Sequence, residues 1–469
     1  MQRWFTGSLI WGGFQNIALI ETSLQPWWES SLPGRLQAKI SPWAEGSTIS
    51  KVMVPTALIV LMALLIVSPF FPTEVVGGIL LIAAVSTVLL FALQRRAYLP
   101  LALPVSAFWL SAFIALLGSP QLALSLDGWV KITLYLLVFA LASHLFCDPR
   151  TRTVALATYL TTTLPVTLFG LYQWRTGAAA LATWVDPESS LADTTRVYSF
   201  LGNPNLLAGY LLAAVPLGIV GFLVWKSWGA KLVGGLASLL AAMCIVLTFS
   251  RGGWIALVVT SLLFSFLLLQ WFSERFSPQI RIWIPIGLVI GSFVLLGLVV
   301  LAVPILRERA SSIFTGRGDS SNNFRINVWA AVFDMIRAFP LTGIGPGNRT
   351  FEAIYPFFQR PKFNALSAYS IPLEITVEMG IPGLLTFVWL VLATTLQGLV
   401  TWARRLTTDE SALWSAAATC AIVGLLVDGF TDTVWFRPPV QLVWWLLCAV
   451  VAAEFWRWQQ RKKTSSSEI

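Results

Sequence analysis

Residues 52–71 read VMVPTALIVLMALLIVSPFF, and residues 75–94 read VVGGILLIAAVSTVLLFALQ, followed at once by Arg95 and Arg96. Each stretch is about 20 residues of nearly unbroken apolar side chains, the length an α-helix needs to cross the hydrocarbon core of a bilayer. The link between them holds no lysine or arginine, whereas the exit from the second ends on a basic pair, so the two read as a transmembrane hairpin whose open end faces the cytoplasm. Working outward, the same kind of segment recurs at 99–118, 128–147, 153–174, 205–225, 232–249, 253–272, 282–305, 381–402, 411–430 and 437–456. The expected fold class is therefore all-α and polytopic, with about twelve transmembrane helices. Composition agrees: the 469 residues are 57% hydrophobic and 11% charged, and the mean hydropathy is +0.75. That mix excludes an ordinary soluble domain and makes the lipid bilayer the protein's solvent.

The basic residues repeat one pattern. Arg150 and Arg152 follow the fourth span, Lys226 and Lys231 the sixth, Arg275 and Arg281 the eighth, Arg404 and Arg405 the tenth, and Arg457, Arg461, Lys462 and Lys463 the twelfth. The connections after the first and third spans carry none, which puts both termini in the cytoplasm and the odd-numbered exits outside. Residues 1–51 form a cytoplasmic and interfacial segment rich in Trp and Phe, 52–456 the transmembrane domain, and 457–469 a basic cytoplasmic tail. The net charge of +9 is thus an orientation signal, with no nucleic acid implied. The four cysteines stand singly and suggest neither a disulfide framework nor a zinc site.

Two outer connections are too long for turns: 175–204, and a large periplasmic loop, 306–371, between helices 9 and 10. The larger is positive on balance, which suits an anionic ligand. Within it, 323–338 has helical spacing of apolar residues, predicting a helix that lies along the membrane surface or caps the bundle.

Once the topology is drawn, the distinctive polar residues converge on the outer face. Arg196, Asn203, Asn205, Arg251, Arg325 and Asp428 are the candidate ligand-binding residues. Arg251, between two apolar helices at an outer junction, is the sharpest, because a guanidinium there runs against the charge bias and offers a planar fork of donors to phosphate, carboxylate or bicarbonate. Its alternative is snorkelling to headgroups or capping helix-end carbonyls. Asn203 and Asn205 flank Pro204 where capping of the next helix is the competing role. Glu374 and Glu378, four apart on one helical face, need partners if buried, and ion pairs with outer arginines would suffice. The single histidine, His144, falls near the cytoplasmic end of the fourth span, so no histidine serves the outer face as base or metal ligand. The glycines at 343–347 lack the Lys-Ser/Thr ending of a phosphate loop. No metal or other cofactor is expected.

These motifs together resemble the O-antigen ligase and polymerase superfamily of bacterial envelope proteins. The resemblance covers about 150–435 and rests on Arg196 with Gly202-Asn203-Pro204-Asn205, Ser250-Arg251-Gly252, Arg325 with Trp329, Pro340-Leu341-Thr342-Gly343-Ile344-Gly345, and Glu378-Met379-Gly380-Ile381-Pro382-Gly383. It implies metal-independent transfer of a glycan from an undecaprenyl-pyrophosphate-linked donor, with arginines holding the pyrophosphate and a loop histidine as base. Arg251 and Arg325 match the arginine motifs. Where family members read His-x-His-Asn, this chain has Ser367-Ala368-Tyr369-Ser370, and an ordinary tyrosine is a poor base at neutral pH. If the chain is a transferase, Tyr369, Glu374 and Glu378 are the residues left for catalysis. The chain looks closest to a cyanobacterial branch named for bicarbonate transport and linked to inorganic-carbon accumulation. The resemblance thus implies two readings: an outward-facing arginine-lined bicarbonate site, or a glycan ligase or polymerase with a non-histidine base. Either implies a multi-pass protein of the bacterial plasma membrane, with the thylakoid membrane as the other location.

Overall fold

A computed structural model describes residues 30–44, 47–93, 101–177, 196–273, 320–403 and 410–467, with isolated positions between 283 and 316. The described residues form helices and no strand: α1 Leu32–Ala44, α2 Thr48–Val67, α3 Thr73–Leu93, α4 Ala102–Leu117, α5 Leu122–Leu145, α6 Pro149–Thr176, α7 Pro204–Leu212, α8 Ala214–Val224, α9 Trp228–Leu247, α10 Arg251–Ser273, α11 Ser320–Ala338, α12 Asn348–Ile354, α13 Ile371–Ala403, α14 Ser411–Gly429 and α15 Pro438–Ser467. Nine membrane-length apolar helices are present among the described residues, with α7 and α8 counted as one. Two shorter ones, Lys51–Val67 and Ala102–Leu117, coincide with the first and third expected spans. The ninth expected span, 282–305, the N-terminal aromatic residues and most of the loop at 175–204 lie outside the described residues. The chain is a multi-pass membrane protein, all-helical in its regular structure among the described residues.

Burial orders the bundle. The apolar window of α15 is 94% buried and that of α10 only 17%, so α15 is a central post and α10 a peripheral helix. Around α15 pack α5, α13 and α14, and α14 in turn packs on α8 and α10. Trp444 and Trp445 of α15 are buried against Trp435, Phe387 and Phe139. Leu81, Ile82, Val85, Val88 and Leu89 of α3 face outward, as expected where lipid replaces water. Helix α1 packs on α3, and Gln37 Nε2 donates to the Phe91 carbonyl at 2.7 Å.

Capping chemistry starts the helices where the sequence turns polar. Asp148 accepts from Arg150 N ahead of Pro149, Asn203 accepts from Asn205 N and Leu206 N ahead of Pro204, and Ser227 accepts from Ala230 N. The expected helix at 323–338 is α11; it caps the bundle with a small core of its own, in which Val328, Ala331, Val332 and Met335 meet Ile344, Phe351 and Val377.

The expected span at 381–402 begins ten residues earlier, at Ile371. Glu374 and Glu378 depress a hydropathy window, yet both are buried in protein rather than lipid, so the helix continues through them. It is kinked at Gly380, whose φ of 68° and ψ of −175° belong to backbone that glycine alone adopts readily. Pro382 has no N–H for Glu378 O, and Ile381 N donates to Pro340 O instead of Val377 O. The loop after α11 supplies the missing donors: Ile344 N to Val377 O at 2.8 Å and Gly345 N to Glu378 O at 3.0 Å. Inside a bundle such orphaned carbonyls would cost several kcal/mol. The run Pro340–Gly345 and the run Glu378–Gly383 are therefore two halves of one joint. A side chain on Gly380 would meet Leu341 O, and one on Gly343 would meet Glu378 O.

Candidate anion site

The site is assembled from five chain segments at one end of the bundle. The turn from α9 into α10 is the first. Thr248 Oγ1 accepts from Ser250 N, Phe249 takes a left-handed φ of 51°, and Ser250 Oγ accepts from Gly253 N, so Ser250 caps α10 and Arg251 sits in its first turn. The second is the segment before α7, which seals the end of α9: Val197 N donates to Leu247 O, and Arg196 Nε donates to Thr248 O at 2.9 Å.

From Arg196 a chain of polar contacts runs across the end of the bundle. Arg196 Nη2 donates to Asn205 Oδ1 at 3.2 Å, and Asn205 Nδ2 donates to Asp432 Oδ2 at 2.6 Å. Arg325 of α11 pairs with the same oxygen at 3.7 Å and donates to Ser321 Oγ at 2.9 Å. Asp432 Oδ1 accepts from Thr433 N at 2.8 Å. Arg251 lies close enough to Arg196 for the two charges to act on each other. Burial, then Arg251, then Arg325 pull the Arg196 guanidinium down to about 10 from 12.5, and Asp432 opposes them. Three guanidinium groups from three segments thus share one region, with Asp432 as the carboxylate paired into it.

The fifth segment is the turn 367–370. Tyr369 has a left-handed φ of 50°, a conformation costly for a bulky residue unless its surroundings impose it. Here they do. Trp329 Nε1 donates to Ala368 O at 2.9 Å, a Glu374 oxygen accepts from Ala368 N, and Ser367 Oγ and Thr433 Oγ1 are 2.8 Å apart. The Tyr369 ring meets Phe324 edge-on at 5.4 Å. Burial, chiefly, and the charge of Asp432 push the Tyr369 phenol up to about 12, with Glu374 adding and Arg325 and Arg437 opposing.

The structure therefore gathers Arg196, Asn205, Arg251, Arg325 and Tyr369. Asn203 caps α7 with its side-chain oxygen, accepting from the backbone amides of Asn205 and Leu206, and so supports Asn205 from behind. Asp428 is 1% exposed, with an oxygen 2.4 Å from where a Gly252 side chain would begin, directly beneath the first turn of α10. Glu374 is buried behind the Tyr369 turn. Glu378 is buried one turn further on, in a narrow pocket with Phe108, Trp435, Phe436, Gln441 and Trp445. His144 is at the other end of α5, beside Phe91. Among the described residues no group of three or more His, Cys, Asp or Glu could hold a metal ion.

Sequence reasoning missed Asp432, the hub of the polar chain. Its signal was modest: a carboxylate four residues after Asp428 and five before Arg437, in an outer connection.

With that geometry in view, the comparison with known families is informative. Residues 236–388 match the O-antigen ligase family model. The match supports the superfamily. It takes in Arg251, Arg325, Tyr369, Glu374 and Glu378, while Arg196, Asn205, Asp428 and Asp432 lie outside it and join the site only in space. No curated protein matches the chain.

Proposed function

We propose that this O-antigen-ligase-like protein transfers a glycan from a lipid-carried pyrophosphate, of the undecaprenyl kind, to an acceptor hydroxyl, by chemistry that needs no metal. The observation that carries this reading is the cluster of Arg196, Arg251 and Arg325 at the end of a membrane-crossing bundle, where positive charge exceeds negative. A pyrophosphate bears several charged oxygens and suits planar forks of donors arriving from different directions. Its lipid tail would remain in the bilayer while its head reaches the arginines. Neutralising the leaving pyrophosphate is the main catalytic contribution expected of such a cluster. Tyr369 adds an O–H donor at its rim, and Glu374 supports the turn that carries it.

On this reading the site faces away from the cytoplasm across the bacterial plasma membrane, an orientation that the charge bias of the connections supports. The family match lends nothing to the inorganic-carbon reading. A small anion such as bicarbonate would use only part of a three-arginine cluster.

The test compares lipid-linked glycans in a strain lacking the gene with its parent, by mass spectrometry, both grown at high inorganic carbon. Build-up of the undecaprenyl-linked donor with loss of its polymer is expected. An unchanged glycan profile sinks the proposal and makes isotopic bicarbonate uptake, with Arg251→Ala as control, the next measurement.

A further inference from the structure

We infer that Asp432 is the base that takes the proton from the acceptor hydroxyl; this rests on the glycan-transfer reading above. Such a transfer forms a bond between the acceptor oxygen and the anomeric carbon. It breaks the bond from that carbon to the pyrophosphate oxygen, whose electron pair leaves with the lipid carrier. The hydroxyl proton must pass to a group at the site and then to water.

Few groups qualify. The arginines are donors only. Tyr369, pushed up to about 12, keeps its own proton at neutral pH and so donates a hydrogen bond rather than accepting a proton. Glu374, Glu378 and Asp428 are each at most 1% exposed, beyond the reach of an acceptor hydroxyl. Asp432 has a side chain 14% exposed and lies within the arginine cluster.

It is also held as a base should be. Thr433 N fixes one oxygen, while Asn205 Nδ2 and Arg325 orient the other. A carboxylate accepts at about four lone-pair positions, and the two hydrogen bonds, with Arg325 as a longer ion pair at 3.7 Å, leave room for the incoming hydroxyl. Arg325 bridges the two tasks, since the guanidinium that orients Asp432 is also one of those proposed to hold the pyrophosphate. Arg325 would thus hold the base and the leaving group near one reacting carbon, which is the proximity that such a reaction requires.

The experiment uses the full-length protein in detergent, with two readouts. Native mass spectrometry measures binding of undecaprenyl pyrophosphate. Transfer is followed as consumption of the lipid-linked glycan in membranes from cells lacking the gene, after addition of wild type, Asp432→Ala, Asp432→Asn or Asp432→Glu. If the wild type neither binds undecaprenyl pyrophosphate nor consumes the glycan, the transferase reading falls, and this inference with it. If the wild type does both, Asp432→Ala and Asp432→Asn are expected to bind undecaprenyl pyrophosphate within a few-fold of wild type and to transfer about 100-fold more slowly. Added formate should restore part of the rate to Asp432→Ala, and Asp432→Glu should retain more activity than Asp432→Asn. Transfer within about 3-fold of wild type in Asp432→Ala overturns the assignment. So does a loss that formate leaves unchanged in a folded, ligand-binding variant, since that outcome marks a positioning role.

Discussion

The two ends of the bundle each gather arginines and a carboxylate, and they use them in opposite ways. At the end away from the candidate site, Arg152 of α6 and Arg457 of α15 both pair with Glu454, with Arg152 also lying over the Trp414 ring at 5.8 Å. Arg152 is 5% and Glu454 1% exposed. At the other end the carboxylate is more open, with 14% of the Asp432 side-chain surface exposed against 1% for Glu454, and Arg325 stands 3.7 Å from it. Arg152 and Gln173, whose side chain receives the amides of Tyr198 and Ser199 beside Arg196, are 21 residues apart on α6. That is about 30 Å of helix, the thickness of a bilayer core. The closed cluster reads as a structural lock, because a buried charge without its partner is costly. The open one, with cations in excess and its carboxylate partly exposed, suits the proposed anionic ligand.

The largest expected effect tests the lock. Glu454→Ala removes the carboxylate between buried Arg152 and partly buried Arg457 and should cost about 3–5 kcal/mol of stability. An unfolding curve in detergent measures it, and undecaprenyl pyrophosphate binding by the molecules still folded should be unchanged. A melting temperature equal to wild type would break the contrast between the two ends.

Arg325→Ala should do the reverse. Affinity for undecaprenyl pyrophosphate is expected to fall by about 2–4 kcal/mol, roughly 30- to 1,000-fold, with little change in the unfolding midpoint. Early melting without loss of affinity would mean that this end, too, is mainly structural.

A smaller effect separates capping from ligand contact. Asn203→Ala should cost about 1 kcal/mol of stability, the usual worth of a helix cap, and leave anion affinity as it was. A loss of affinity without a shift in melting would return Asn203 to the site.

The smallest effect is in pH. Arg196 is charged below its value of about 10, so anion binding should be level between about pH 7 and 9 and weaken as pH rises through 10. Because the charged form is disfavoured in the free protein relative to an exposed arginine, an anion that restores it should also stabilise the fold, seen as a higher melting temperature on adding undecaprenyl pyrophosphate. A titration flat to pH 11 would remove Arg196 from the ligand.

Much of the fold was legible because membrane insertion is decided locally. Twenty apolar residues and a flanking basic pair act through the neighbouring lipid and headgroups, so α3, α5, α9 and α14 fall near their expected positions without knowledge of any partner. The same locality explains why the span expected at 381–402 starts late within α13. Hydropathy treats Glu374 and Glu378 as facing solvent or lipid, whereas they face protein, and only tertiary packing reveals that. The paired motifs around Gly343 and Gly380 show the limit from another side, since each reads alone as a turn, and the hydrogen bonds that make them one joint link residues 33 to 41 apart.

For the site, the sequence by itself determined the residue types and the end of the bundle to which Arg196, Asn205, Arg251 and Arg325 belong, because arginines at helix ends in an apolar chain are costly and therefore visible. Only the tertiary structure decided which of them meet. It separated Asn203 as a cap, buried Asp428 beneath α10, turned Tyr369 toward Arg325, and brought in Asp432 from a link that no local pattern marked. The physical reason is that charge and hydrogen-bond complementarity act through space over a few ångströms, and residues 196, 205, 325 and 432 come within that range only when α7, α11 and α14 have packed.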